Sequence, residues 1–204
     1  MTSVIVDELC TLRDLYGEPG EGAIKKQLPG LDRHCRAFIA LSPFLVVASS
    51  GADGNCDASP RGDAPGFVAV LDDTTLLIPD RPGNRRVDTL GNVTGNPHVG
   101  LIFFVPGMNE TLRVNGTATI TTDPTLLEPL AVQGKAPRSG MLVTVEEAYL
   151  HCARALLRAD LWNPEKQIDR ASFPSLGRML ADQIQGIDAD TADRSLAESN
   201  ARLY

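Results

Sequence analysis

The sequence predicts a mainly β protein with flanking helices, its strands forming an antiparallel barrel or sandwich. Two observations carry this. From Pro43 to Glu147 the chain breaks into short apolar or alternating runs separated by Gly, Pro, Asn and Asp turns. Helical spacing of apolar residues is concentrated outside that stretch. The size agrees: 204 residues, 43% hydrophobic and 22% charged, fit one compact domain with extensions at 1–42 and 165–204 around a body at 43–164.

In chain order, Val4, Leu9, Leu12 and Leu15 suggest a packing helix, broken at Gly17 to Gly22, with a second helical segment from Asp32 to Leu41. Strands follow at Phe44 to Ser49, Cys56 to Pro60, Phe67 to Leu71 and Thr75 to Pro79. A helix from Asn84 to Thr94 is expected, capped by Asn84 and stopped by Gly95, Asn96 and Pro97. His98 to Val105, apolar throughout its second half, reads as a strand buried on both faces. Leu112 to Ile120 alternates apolar with polar and reads as half-buried. Asp123 starts a helix to Val132, Met141 to Glu147 returns to strand, and Cys152 to Asp160 is helical. Ser172 to Pro174 opens an amphipathic helix with Leu176, Met179, Leu180 and Ile184 on one side, and the last fifteen or so residues read as a polar tail or a partner-subunit arm.

The 19 Lys and Arg against 26 Asp and Glu leave a net charge of −7, which argues against a non-specific nucleic-acid binder or a basic membrane-surface protein. Any bound anion needs a local cluster of donors. No apolar run approaches the roughly 20 residues that span a bilayer. Met1 to Cys10 holds no basic residue and includes Asp7 and Glu8, unlike a secretory leader, so a cytoplasmic location is expected. Cys10, Cys35, Cys56 and Cys152 are far apart and read as reduced, mostly buried thiols, with no metal site expected.

Chemistry concentrates in three places. Asp80-Arg81-Pro82-Gly83-Asn84-Arg85-Arg86 sets three arginines between a strand end and an expected helix start, where guanidinium forks and free N–H groups suit a phosphate. Asp57 to Asp63 adds Ser59, Arg61 and Gly62. Glu110 to Gly116 would project Thr111 and Arg113 near the loop arginines if its strand lies beside the others. His98 and His151 read as structural histidines.

The succession Ser59-Pro60-Arg61-Gly62, Leu76-Leu77-Ile78-Pro79-Asp80, Asn84-Arg85-Arg86 with Leu90 and Asn96-Pro97, then Arg113-Val114-Asn115-Gly116 resembles the pyridoxamine 5'-phosphate oxidase-like FMN-binding split barrels, and within them the FMN-dependent subgroup. The resemblance covers residues 40–121 well and 140–164 moderately. It implies a six-stranded antiparallel split β-barrel of FMN-binding type that forms a homodimer, with the flavin at the interface and hydride transfer to or from flavin N5 for an unknown small-molecule substrate. By that resemblance Arg85 and Arg86 grip the FMN phosphate, Asn84 takes the capping role, and Arg61 faces the phosphate or ribityl chain. Ile78, Pro79 and Asp80 run along the isoalloxazine. Thr111 stands where the family often has a Gln against the ring, and Trp162 is either a cross-subunit wall for the flavin or an interface anchor. The ending Glu198 to Tyr204 lacks the Arg-x-His substrate motif of true pyridoxamine phosphate oxidases, which points away from vitamin B6 oxidation. The competing readings are a non-catalytic flavin carrier, a haem-binding barrel with His34, His98 or His151 as axial ligand, and a deazaflavin-cofactor reductase.

Overall fold

Apolar residues at every second position build one seven-stranded antiparallel sheet, ordered β2-β1-β5-β6-β7-β4-β3. The strands are β1 (Phe44–Ser50), β2 (Cys56–Gly62), β3 (Ala69–Val70), β4 (Thr75–Pro79), β5 (His98–Phe104), β6 (Thr111–Thr121) and β7 (Gly140–His151). The computed structural model describes residues 5, 6 and 8–204. Seven strands replace the six implied by the family resemblance. β3 keeps only Ala69 and Val70 of the run expected from Phe67 to Leu71, because Phe67 and Val68 turn into the core instead of pairing.

Register sets the core. Leu45 lies opposite Phe103, Val47 opposite Leu101, Leu101 opposite Val114 and Val114 opposite Ala148, all buried on one face of the sheet. β5 is therefore buried on one face rather than two, since its outward residues Ile102 and Phe104 stay half-buried. The same register puts Arg61 beside Leu45 and Ser59 beside Val47, so these polar residues of β2 point to the core side at the sheet's edge.

The sheet is strongly curled. Five strand spacings separate β2 from β4 in the sheet order, about 24 Å in a flat sheet at ~4.8 Å each. Yet Arg61 Nη1 of β2 lies 3.1 Å from Oδ1 of Asp80, the residue just after β4. Arg81 Nε lies 2.6 Å from Oδ2 of Asp63, just after β2. Two ion pairs thus close a seam between sheet ends that no strand ladder joins among the described residues.

Two helices cover the core. Helix α3 (Arg33–Leu41) is capped by Asp32, whose carboxylate accepts from the His34 and Cys35 N–H groups, and it buries Cys35, Phe38 and Ile39. Helix α4 (Asp88–Gly95) buries Thr89 and Val93 and is tied to the strands by Thr89 donating to Asp57 and Asn92 donating to Ser49, both at 3.0 Å. By contrast α1 (Leu9–Tyr16) and α2 (Glu21–Lys25) bury no residue, so the apolar stripe expected to pack leaves Leu9 and Leu15 in solvent. Val4 of that stripe lies outside the described residues.

Beyond β6, α5 is only Pro124–Leu127, continued by a 3-10 turn to Leu130, and α6 is Arg154–Ala159. The stretch expected as a polar tail or a partner-subunit arm is largely helix α8 (Ala189–Asn200), started by an Asp188 cap. It packs on α7 (Leu176–Gln183) through Asp193, which accepts from Ser175 Oγ at 2.5 Å and Gly177 N–H at 2.7 Å. Among the described residues no helix is long and apolar enough to cross a membrane.

β7 carries a bulge: Asn115 pairs with Glu147 and Gly116 with Val145, leaving Glu146 unpaired. At this point a Cβ on Gly116 would collide with the Thr144 carbonyl oxygen. Gly116→Ala is expected to lower stability by about 2 kcal/mol or more, read from the urea midpoint; an unchanged midpoint would contradict this packing. Three thiols, Cys10, Cys56 and Cys152, are exposed, against the expectation of mostly buried cysteines, and only Cys35 is buried. Burial, reinforced by Asp32, pushes the Cys35 thiol up to about 11. At pH 8 a thiol reagent should therefore label the other three quickly and Cys35 only on unfolding.

Candidate functional site

Of the polar residues singled out in the sequence, the seam brings together Arg61, Asp63, Asp80 and Arg81. On β2, Ser59 and Arg61 alternate with outward-facing Pro60 and Gly62. Across the seam, β4 ends in buried Ile78 and Pro79 before half-buried Asp80, whose N–H donates to the Ser139 carbonyl at 3.0 Å. Only the Nη1 edge of the Arg61 guanidinium is engaged with Asp80. Its Nε is shielded from solvent and has no hydrogen-bond partner, an unspent donor of the kind a bound anion satisfies.

Next to it lies a drier network. The Asp63 side chain is only 3% exposed and accepts from Arg81 Nε at 2.6 Å, the Ala64 N–H at 2.7 Å and the Tyr204 hydroxyl at 2.5 Å. Arg81 also donates to the Leu130 carbonyl at 2.9 Å, and the Tyr204 ring lies 5.9 Å from its guanidinium carbon. Burial alone would raise the Asp63 carboxyl, but the Tyr204 hydroxyl, the Ala64 N–H and Arg81 outweigh it and hold it below the usual carboxylate value. The reciprocal hydrogen bond to Asp63, with some burial, raises the Tyr204 phenol.

The arginine loop differs from expectation. The helix starts at Asp88, not Asn84, because Arg85 (φ 62°) and Val87 (φ 54°) take left-handed backbone that cannot propagate a right-handed helix. Asn84 caps a local turn instead, accepting from the Arg86 N–H at 3.1 Å. Arg85 and Arg86 are exposed; Arg86 pairs with Asp88 at 2.7 Å, and Arg85 has no carboxylate partner among the described residues.

Thr111, Arg113 and Trp162 are not brought to the seam residues, contrary to the expected placement of the first two. Leu112 and Val114 face the core, so Arg113 points to the opposite side of the sheet from Arg61. There Arg113 donates to the Tyr149 hydroxyl at 3.1 Å, and Lys26 Nζ lies 5.3 Å from the centroid of the same ring. Thr111 is buried opposite His151. Trp162, half-buried, donates its indole N–H to the Met108 carbonyl at 2.7 Å.

Two features were missed in the sequence. One is Tyr204, 141 residues from Asp63, for which no local signal exists. The other is an open groove of about 560 Å³ beside β1, β2 and β5, lined by Ser50, Cys56, Asp57, His98 and Asn115 among others. Among the described residues no cluster of three or more His, Cys, Asp or Glu side chains is placed to hold a metal ion.

The family model of pyridoxamine 5'-phosphate oxidase matches residues 31–152, more than half of the chain and the whole span from α3 to the end of β7. The chain belongs to the pyridoxamine 5'-phosphate oxidase family. No curated protein sequence matches it. Among solved structures it is similar to HupZ of Group A Streptococcus, at 18% identity over 59% of this chain and 93% of that one, with a TM-score of 0.49. A Lactobacillus delbrueckii protein described as a pyridoxamine 5'-phosphate oxidase shows 21% identity over 61% and 98% of the two chains, with a TM-score of 0.46. An FMN-binding protein from Syntrophomonas wolfei shows 9% identity over 71% and 97%, with a TM-score of 0.48. Membership of the oxidase family rests on the match over residues 31–152.

The Asp63 network makes a testable statement about pH. A carboxyl held below its unfolded value of about 3.9 contributes stability at higher pH and loses it as pH falls through the depressed value. Asp63→Asn should lower stability at pH 6 and flatten the acid limb of the stability curve, measured as urea midpoints from pH 6 to 3. An acid limb as steep as that of the unsubstituted protein would count against this role.

Proposed function

We propose that this family member is an FMN-dependent oxidoreductase built on a split barrel, binding its flavin at a homodimer interface in the cytoplasm and acting on a small-molecule substrate. The observation that carries the reading is the Arg61 guanidinium, whose shielded Nε lacks a partner at the seam. In this reading exposed Arg85 and Arg86, on the loop after β4, join it as donors whose chemistry fits a phosphate dianion. The curled sheet with its two ends meeting at the seam supports the split-barrel description.

In this reading Arg61, Arg85 and Arg86 hold the FMN phosphate, and Ser59 and Gly62 flank it. Asn84 shapes the loop through its turn to Arg86. Ile78, Pro79 and Asp80 line the path of the ring, with Ile78 and Pro79 excluding water by their burial. In the same reading Arg113 and Trp162, which do not meet the seam residues within one chain, reach the flavin from the second copy of the homodimer, whereas Thr111 is buried in its own chain and makes no such contact. Bound FMN supplies two-electron redox chemistry at N5, which asks of the protein orientation and hydrogen bonding rather than a nucleophile.

Protein incubated with FMN and desalted should show flavin absorption near roughly 375 and 450 nm. Arg61→Ala, and Arg85→Ala combined with Arg86→Ala, should each raise the FMN Kd by about tenfold or more, equivalent to ~1.4 kcal/mol. Arg178→Ala, on α7 and paired with Asp182, should leave it unchanged. A protein that takes up no FMN sinks the reading, a band near about 400 nm after haem addition favours the haem-binding alternative, and equal affinities in all variants move the phosphate elsewhere.

A further inference from the structure

Arg81 is the arginine of the loop with the most partners. Its Nε is bound to Asp63 at 2.6 Å, its Nη1 to the Leu130 carbonyl at 2.9 Å, and one face is covered by the Tyr204 ring. Tyr204 holds this arrangement from outside the sheet. Its hydroxyl reaches Asp63 at 2.5 Å, and its main-chain oxygen accepts from Lys135 Nζ at 3.0 Å. One residue therefore touches three segments that are distant in sequence: the end of β2, the end of β4 and the loop before β7.

The segment that carries Tyr204 is held by little else. Residues 201–203 are exposed, and Leu203 is 65% exposed despite being apolar. Arg202 turns back to Glu198 of its own helix. Opening the segment thus costs a few polar contacts and one aromatic face, with no core residue displaced. The contacts that would break are the ones that cover the seam.

We propose that residues 201–204 form a latch over the seam: Tyr204 holds the Asp63–Arg81 pair and the following arginine loop in place, and its release governs entry and exit of an anionic ligand. The ligand half of this statement rests on the flavin reading above. In the latched form the Nε and Nη1 of Arg81 are taken by Asp63 and the Leu130 carbonyl and the Tyr204 ring lies beside its guanidinium, so the backbone that leads into Pro82, Arg85 and Arg86 is held at its root. In the released form Arg81 keeps Asp63 but loses its cover, and the loop swings on Asp80.

The test separates a latch from a merely structural contact. A contact that only adds stability would, on removal, speed FMN dissociation and leave association alone; a latch removed speeds both. Tyr204→Ala should raise the association and dissociation rates of FMN each by about fivefold or more in stopped-flow flavin fluorescence, with a smaller change in Kd. In the ligand-free protein, amide hydrogen exchange at Ala64 and Asp80 should accelerate by about tenfold while the β6 core amides keep their rates. Tyr204→Phe, which keeps the ring and loses the hydroxyl bond to Asp63, should fall between. Unchanged exchange at Ala64 and Asp80 in Tyr204→Ala overturns the latch whether or not FMN binds. Accelerated exchange with unaltered FMN rates overturns the control of ligand passage. Absence of FMN binding by the unsubstituted protein instead removes the flavin reading and with it that control, while the amides still decide whether the latch exists.

Discussion

The two ion pairs across the seam are the constraint on which the rest of the molecule depends. Backbone ladders hold neighbouring strands together, but no ladder joins β2 to β3 or β4. Burial of Leu45, Leu76, Phe103 and Val143 drives the sheet to wrap, and the meeting of Arg61 with Asp80 and of Asp63 with Arg81 fixes which residues face each other where it closes. Such pairs add little net stability when desolvation is set against attraction, yet removal of one partner from a buried pair costs about 3–5 kcal/mol. The seam therefore acts by specificity: it excludes arrangements that leave one of these four charges alone. The two pairs differ in dryness, since Asp63 is almost sealed while Asp80 keeps 30% of its side chain exposed. The wetter pair is the one beside the unpartnered Arg61 nitrogen.

Much of the sheet was legible because alternation is a local property. Leu112, Val114 and Ala118 announced β6, and Phe44 to Ser49 announced β1, within a residue or two of their observed limits. The short β3 was not legible, since nothing nearby tells Phe67 and Val68 to enter the core while Ala69 and Val70 pair. The helix start was misplaced because Asn84 looks like a cap, and a sequence does not display the left-handed backbone of Arg85 and Val87. Helix α1 shows the opposite error: amphipathic spacing states that a face is apolar, not that anything covers it.

The candidate site divides in the same way. Arg61, Asp80 and Arg81 were visible as charged residues beside strand ends, a local cue. Their pairing was not, because it depends on how far the sheet curls. Arg113 was expected near the loop arginines on the condition that its strand lay beside the others, whereas strand parity sends it to the far face with Tyr149. In a chain of net charge −7 the arginines at the seam are gathered by geometry, independently of the overall charge.

The bulge at Glu146 has a consequence for how this strand tolerates change. Before it, Met141, Val143 and Val145 face inward; after it, Ala148 does, and Tyr149 faces out beside Arg113. One residue thus resets the parity of β7, much as a single inserted letter shifts a reading frame. Drawing Glu146 into the ladder, with the number of residues unchanged, would turn Tyr149 into the core and Ala148 to the outside, dismantling the aromatic site that Arg113 and Lys26 share. Within β7 a change of length is therefore absorbed without a change of face only at this bulge, and at any other position it sets every later side chain on the wrong side of the sheet.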